Sequence, residues 1–305
     1  MTDLIGQTIG QYQIIELIHH GENMVYKGFQ ASTNRYVAVK ILNPSLATNP
    51  DFIQRFQQDM QRITNLQHSN ILPVYDYVQD GELLYIVSPY IETGTLQTRI
   101  PPAFSPQQAQ AILNPVAEAL DYAYRMGVGY GNVKPSNILI DAQGRPMLTD
   151  LGYVQGIDAG GQDNVYLSPE QFQGAAADAR SDVYALGILL YHMLVGEPPQ
   201  PNLVADVRAR RPDLPEGIET VVLKATAPAP EQRFQSPGQL KDAFNYALMP
   251  PAPASIPVVS PPPPPAAPQS PPPAAKSKGG VPGWIFLLIG GLLVCCCLSG
   301  GLGMF

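Results

Sequence analysis

Lys40 closes an apolar run, Val37-Ala38-Val39-Lys40, of the kind that forms a buried strand. Alone, a lysine at a strand end is usually a solvated charge, and Asp150-Leu151-Gly152 in isolation says as little. Their company changes the reading. Asn132-Val133-Lys134-Pro135-Ser136-Asn137-Ile138-Leu139 brings Asn137 to 13 residues before Asp150, and Ser168-Pro169-Glu170 begins 18 residues after it. Asp182-Val183-Tyr184-Ala185-Leu186-Gly187 follows, and Arg233 lies near the end of the charged part of the chain. The chemistry on offer is that of ammonium, carboxylate and carboxamide groups. Thiols are not part of it, because the only cysteines, Cys295, Cys296 and Cys297, lie in an apolar stretch near the C-terminus. The preceding residues therefore have no disulfide and no cysteine-ligated metal.

In this order and at these distances, the motifs resemble those of the eukaryotic-type Ser/Thr protein kinase family, in particular its bacterial membrane-tethered branch. The resemblance spans about residues 10–247. It implies an α+β, two-lobed protein-kinase fold with ATP and Mg²⁺ in the cleft between the lobes. It implies that Lys40 holds the α- and β-phosphates, oriented by a carboxylate on the helix of the first lobe, here Asp59. Asp150 matches a metal-ligating aspartate and Asn137 the second metal ligand, while Lys134 would neutralise the transferring phosphate. Val25, Ala38 and Leu139 match the apolar walls around adenine, with Pro89 and Ile91 at the hinge. Glu170 and Arg233 match a structural ion pair of the second lobe.

Three features break the pattern. Where the family reads His-Arg-Asp, this chain reads Tyr130-Gly131-Asn132. An amide oxygen accepts a hydrogen bond, but it cannot take up a proton at neutral pH as the family's aspartate does. The glycine-rich loop has Ile18, His20 and Asn23 at its glycine positions, with Gly21 out of register. Side chains there hinder close approach of backbone N–H groups to phosphates. Finally, residues 151–167 hold no Ser or Thr, so activation by phosphorylating such a hydroxyl there is unavailable. Asp163 stands where the family has a threonine. It is either neutral drift or a carboxylate returned to the site in place of the missing base.

These residues must be positioned by a strand-rich part followed by a helical one. Tyr12–Ile18, Val25–Phe29, Tyr36–Leu42, Ile71–Val78 and Leu83–Val87 read as strands, the last two joined by Asp80-Gly81. Asp51–Leu66 has helical spacing in Phe52, Phe56, Ile63 and Leu66, with Asp51 read as its cap. Pro106–Met126, Ser168–Gln173, Ser181–Val195 and Gly217–Ala227 read as helices. The expected organisation is a kinase-like domain over 1–248, with a first lobe of about 10–92 and a second of about 93–247. A Pro-rich disordered linker over 249–282 and a single C-terminal transmembrane helix over 283–305 follow.

Fourteen of the 33 residues from Pro250 to Pro282 are proline, which lacks the amide donor of helix and sheet. Polyproline II geometry makes the linker a stiff spacer. From Trp284 to Phe305 there is no charge, and about 20 apolar residues at ~1.5 Å rise span a bilayer core. Lys276 and Lys278 flank this stretch on its N-terminal side, which places the kinase-like head in the cytoplasm. Met1–Gly6 shows no secretory signal. Gly291, Cys295, Ser299 and Gly303 make one small-residue stripe through which two such helices could pair as a homodimer. Residues 1–248 carry 16 Lys and Arg against 25 Asp and Glu, an acidic balance that argues against nucleic acid as a partner. The expected function is that of a membrane-anchored pseudokinase that binds Mg-ATP and acts as a signalling scaffold or regulator. A weakly active Ser/Thr kinase and a nucleotide-independent scaffold are the alternatives.

Overall fold

The computed structural model describes residues 4–249, apart from 22, 82, 101, 152–161 and 201–206, with backbone only at 162 and 163. The chain divides into two units, Met1–Ala252 and Pro253–Phe305. The proline-rich linker, the expected membrane helix and its small-residue stripe all lie outside the described residues. Among the described residues, no helix is long and apolar enough to cross a membrane.

The first lobe is a six-stranded antiparallel sheet in the order β1-β2-β3-β4-β6-β5. The strands are β1 (Thr8–Ile9), β2 (Tyr12–His19), β3 (Met24–Gln30), β4 (Arg35–Ile41), β5 (Asp76–Asp80) and β6 (Leu83–Pro89). Side chains alternate between the faces of a strand, so each strand sorts its residues in two. Met24 and Tyr26 of β3, and Val37, Val39 and Ile41 of β4, enter one apolar cluster with Tyr12, Ile14, Tyr85 and Val87. The alternate residues Val25, Ala38 and Lys40 fall on the opposite face. Two helices complete this lobe, α1 (Pro44–Ala47) and α2 (Pro50–Ile63), the second burying Phe56, Met60 and Ile63.

Two local expectations are corrected. The cap of α2 is Asn49, whose side chain accepts from the backbone N–H groups of Asp51 and Phe52, rather than Asp51 itself. Proline is favoured at the first helical position, so Pro50 takes that place and the cap falls on Asn49, two residues before Asp51. The expected strand Ile71–Val78 begins only at Asp76. Before it, Ile71 makes a single bridge to Leu148, and Pro73 offers no donor to a ladder.

The second lobe is helical: α3 (Pro106–Arg125), α4 (Pro169–Phe172), α5 (Ala179–Val195), α6 (Val207–Arg210), α7 (Glu216–Ala225) and α8 (Pro237–Ala247). A short hairpin, β7 (Ile138–Ile140) and β8 (Pro146–Leu148), lies between α3 and α4. Helix α5 is buried along most of its length and forms the hub of the lobe. A Cβ on Gly187 would come within 2.7 Å of Ala225 and 2.8 Å of Thr226, so glycine lets α7 pack directly on α5. Helix α8 was not among the expected elements, although Ser236 caps Gln239 and Pro237 takes the first helical position.

Arg233, with a fully buried side chain, ties the ends of these helices together. Its guanidinium pairs with Glu170 at 2.7 and 2.8 Å and donates to the carbonyls of Ala227, Arg180 and Pro228. Ser181 adds a bond to Glu170 at 2.8 Å. Burial alone would raise the Glu170 pKa, but these donors hold it down at about 2. Its stabilising contribution is therefore complete above the ordinary carboxylate range and is lost as pH falls towards 2. Removing one partner of such a pair strands the other charge. Arg233→Ala is expected to cost about 3–5 kcal/mol of unfolding free energy, read by urea denaturation at pH 7. A loss under 1 kcal/mol, on the scale of exposed pairs, would contradict the buried geometry.

Candidate functional site

A cavity of about 880 Å³ opens between the sheet and the helical lobe. Val25, Ala38 and Lys40 project into it from β3 and β4, because they lie opposite the core-facing residues of those strands. The register sets Val25 directly across from Lys40, and Ala38 across from Ser88. Pro89 and Ile91 line the connection between the lobes, and Leu139 rises from β7. Asn132, Lys134, Asn137 and Asp150 form the polar end. The structure thus gathers into one cavity ten of the twelve residues singled out in the sequence.

The two exceptions differ in kind. Asp163 lies in a 3-10 turn, Gln162–Tyr166, and its side chain is outside the described residues. Asp59 is described, and it does not line the cavity. Its ion pair is with Arg62, 3.8 Å away on its own helix. Burial raises its carboxyl above the ordinary value, against the pull of Arg62 and Arg55. The ammonium of Lys40 instead meets Asp150 at 2.6 Å. Aspartate is one methylene shorter than the glutamate the resemblance implies there, so it reaches less far from α2, and Asp59 pairs with Arg62 on its own helix.

The cavity floor is held by a layered hydrogen-bond network. Asp150 has φ +65°, a left-handed conformation that is costly for a residue with a Cβ. The preceding residue is pinned on both sides: Thr149 N–H donates to the Asn137 carbonyl at 3.1 Å, and the Tyr130 hydroxyl donates to the Thr149 carbonyl at 2.8 Å. Asn137 donates its side-chain N–H to the Asn132 carbonyl at 3.0 Å, which leaves Oδ1 as its donor atom for a cation. A carboxylate and an amide oxygen are hard ligands suited to Mg²⁺.

Gly131, just before Asn132, has φ +73° and no side chain to strain. Its N–H donates to Asp182 at 2.8 Å, and its carbonyl accepts from the Gln171 side chain at 2.8 Å. The turn is clamped from α5 on one side and α4 on the other. Asp182 is fully buried and also accepts from the Tyr124 hydroxyl at 2.6 Å. Burial pushes its pKa up to about 7, against the lowering effect of these two donors. Gln171 is buried too, with its Oε1 occupied by the N–H and hydroxyl of Ser168.

Nearby, the Tyr166 hydroxyl bonds His192 Nδ1 at 2.5 Å inside the lobe, anchoring the end of the segment that follows Asp150. Burial drives the His192 pKa down to about 4. Sequence reading missed Ser88, Gln171 and His192, and it read Tyr130 as a break in the pattern without its bond to the Thr149 carbonyl. Their signals are weak, because none of these contacts belongs to a motif of its own.

The family model for the protein kinase domain matches residues 12–236. The serine/threonine-protein kinase PrkC of Bacillus subtilis is 32% identical over 271 residues, which cover 79% of this chain and 42% of that protein. PknB of Mycobacterium leprae is 36% identical over 249 residues, covering 72% of this chain and 40% of the other. The chain therefore spans about two fifths of the length of these curated relatives. The crystal structure of the Mycobacterium tuberculosis PknI kinase domain superposes with a TM-score of 0.69 at 29% identity, covering 79% of this chain and 98% of that one.

The neutral, buried His192 carries a pH signature. With the folded value near 4 and an ordinary value of about 6.5, its contribution is present above pH 6.5 and lost as pH falls through 4. His192→Gln keeps an acceptor for Tyr166 but cannot be protonated. Between pH 6.5 and 4, the wild type should lose several degrees in Tm relative to this variant. A difference that stays constant with pH would show that the imidazole is not buried as described.

Proposed function

As the chain belongs to the protein kinase domain family, we propose that it is a membrane-anchored pseudokinase that binds Mg-ATP and acts by docking a signalling partner. The observation that carries this reading is the contrast inside one cavity. Lys40, Asn137 and Asp150 are kept together, while the position of the proton acceptor holds Asn132. In this reading the adenine lies between Val25, Ala38 and Leu139, against the hinge at Pro89 and Ile91. Lys40 would hold the phosphates, and Asp150 and Asn137 would hold the metal. Bound Mg²⁺ supplies charge neutralisation along the phosphate chain.

A second reading is a slow Ser/Thr phosphotransferase. It is favoured by Lys134, which lines the cavity with Asn132 where it could neutralise a transferring phosphate. Phosphoryl transfer depends mostly on positioning and electrostatics, so loss of the base lowers the rate by about 10²–10⁴ rather than abolishing it. The relatives above are named as serine/threonine-protein kinases, which fits either reading. A scaffold that ignores nucleotide altogether is the third outcome of the test below.

The rest of the chain fits a tethered head. The proline-rich residues 249–282 serve as spacer, and 283–305 as the single span, with Lys276 and Lys278 on the cytoplasmic side. The stripe of Gly291, Cys295, Ser299 and Gly303 would let two spans pair.

Millimolar Mg-ATP should raise the Tm of the protein, since a ligand that binds only the folded state at 100 times its Kd stabilises by about 2.7 kcal/mol. Lys40→Ala and Asp150→Ala should each remove the shift. No shift in a cooperatively melting wild type leaves only the nucleotide-independent scaffold. Phosphate transfer to a generic protein substrate separates the first two readings. Asn132→Asp should raise any transfer by about 10²-fold or more, and transfer by the wild type that disappears in Asp150→Ala establishes the slow enzyme.

A further inference from the structure

The hairpin over the polar end of the cavity has no glycine at the three positions where the chain would need to approach a phosphate closely. Its geometry supplies something else. Ile18, His19 and His20 are consecutive, yet all three line the cavity. A regular strand cannot do this, because neighbouring side chains point to opposite faces. A bulge makes it possible. The register of β2 against β3 slips between Leu17 and His19, with Leu17 opposite Tyr26 and His19 opposite Val25. Leu17 packs on the core cluster below the sheet, Ile18 is the extra residue, and His19 is turned onto the cavity face beside Val25.

The same register runs on from Val25 to Lys40. His19 and Lys40 therefore occupy one row of the sheet, on one face, two strands apart, or about 10 Å. Two other described residues of the hairpin, Gly21 and Asn23, have separate contacts. A Cβ on Gly21 would lie 2.8 Å from His19 Nε2, so the ring of His19 rests over Gly21 and requires it to be small. The Asn23 side chain accepts from the backbone N–H of Asn43 at 3.1 Å, which ties the return strand to the end of β4. Ile18 is apolar. Among the described residues of the hairpin tip, the polar side chains that line the cavity are the two imidazoles and Asn23, whose amide oxygen is engaged with Asn43.

We propose that His19 and His20 hold the phosphates of a nucleotide in this cavity, using ring N–H donors in place of the peptide N–H groups of a glycine-rich hairpin. An imidazole always carries at least one such donor, and hydrogen bonds to phosphate are charge-assisted. The ligand class is a nucleoside di- or triphosphate, with Lys40 at one end of the row and the histidines at the other. The proposal rests on the nucleotide reading above, and a nucleoside without phosphates separates the two.

The test measures Kd for Mg-ATP, Mg-ADP and adenosine on the full chain at fixed ionic strength. The double variant His19→Ala/His20→Ala should bind Mg-ATP about 10-fold or more weakly, since losing hydrogen bonds to a charged group is worth at least that factor. Mg-ADP should lose less, and adenosine should be unaffected. His19→Gln/His20→Gln keeps an N–H donor at each position and should recover most of the Mg-ATP affinity. Unchanged Mg-ATP binding in the alanine variant overturns the proposal and leaves the nucleotide reading standing. An equal loss for adenosine also overturns it, because the histidines would then only shape the hairpin. A wild type that binds neither adenosine nor Mg-ATP refutes both.

Discussion

A carboxylate sealed from solvent at the start of α5 fixes where the polar end of the cavity can be. Asp182 takes the N–H of Gly131 and the hydroxyl of Tyr124, the first of them in a buried site where that donor could not find water. An unpaired donor buried there would cost about 1–3 kcal/mol, so the arrangement is self-enforcing. Because Gly131 is held at φ +73°, the chain turns back at this point and presents Asn132, Lys134 and Asn137 along one edge. Asn137 in turn receives Thr149, and Thr149 delivers Asp150. Removing the carboxylate would release each of these in sequence.

Much of this was legible in the sequence and some was not, for definable reasons. The alternation of Val37, Ala38, Val39 and Lys40 gives both the strand and the face, because strand periodicity is local. The spacing from Asn132 to Asp150 gives the floor, because it matches a recurrent arrangement. The ion pair of Arg233 with Glu170 was legible for the same reason. Asp59 was not, since its position on α2 could be read but the distance from that helix to the sheet could not. The start of β5 was missed because Pro73 interrupts a run whose composition reads as strand throughout. Helix α8 was missed although its Ser-Pro start was on view. The orientation of His19 lay beyond reach, as a one-residue bulge inverts the face and leaves no mark in the composition.

The departures from the family pattern share a physical logic. Gly131 replaces a charged residue, and residues 151–167 lack the Ser or Thr that could be phosphorylated to meet one. What joins the end of that segment to the turn is a neutral side chain, Gln171, satisfied at both of its ends. A neutral, fully bonded link does not respond to kinases, phosphatases or salt. The segment end is therefore anchored by packing and hydrogen bonds that form with the fold itself, and Tyr166 against His192 reinforces the same anchoring.

Two of the displaced titrations within α5, those of Asp182 and His192, have a joint consequence. On folding, Asp182 gains a proton between its ordinary range and about pH 7, while His192 sheds one between about pH 6.5 and 4. The first makes the fold less stable as pH rises across that window, and the second makes it more stable. Their slopes oppose each other along one helix. Folding then exchanges a proton internally instead of drawing one from solvent. For this pair of groups, mild acidification is nearly silent, so the lobe can keep its shape where a single buried titrating group would have made it an acid sensor.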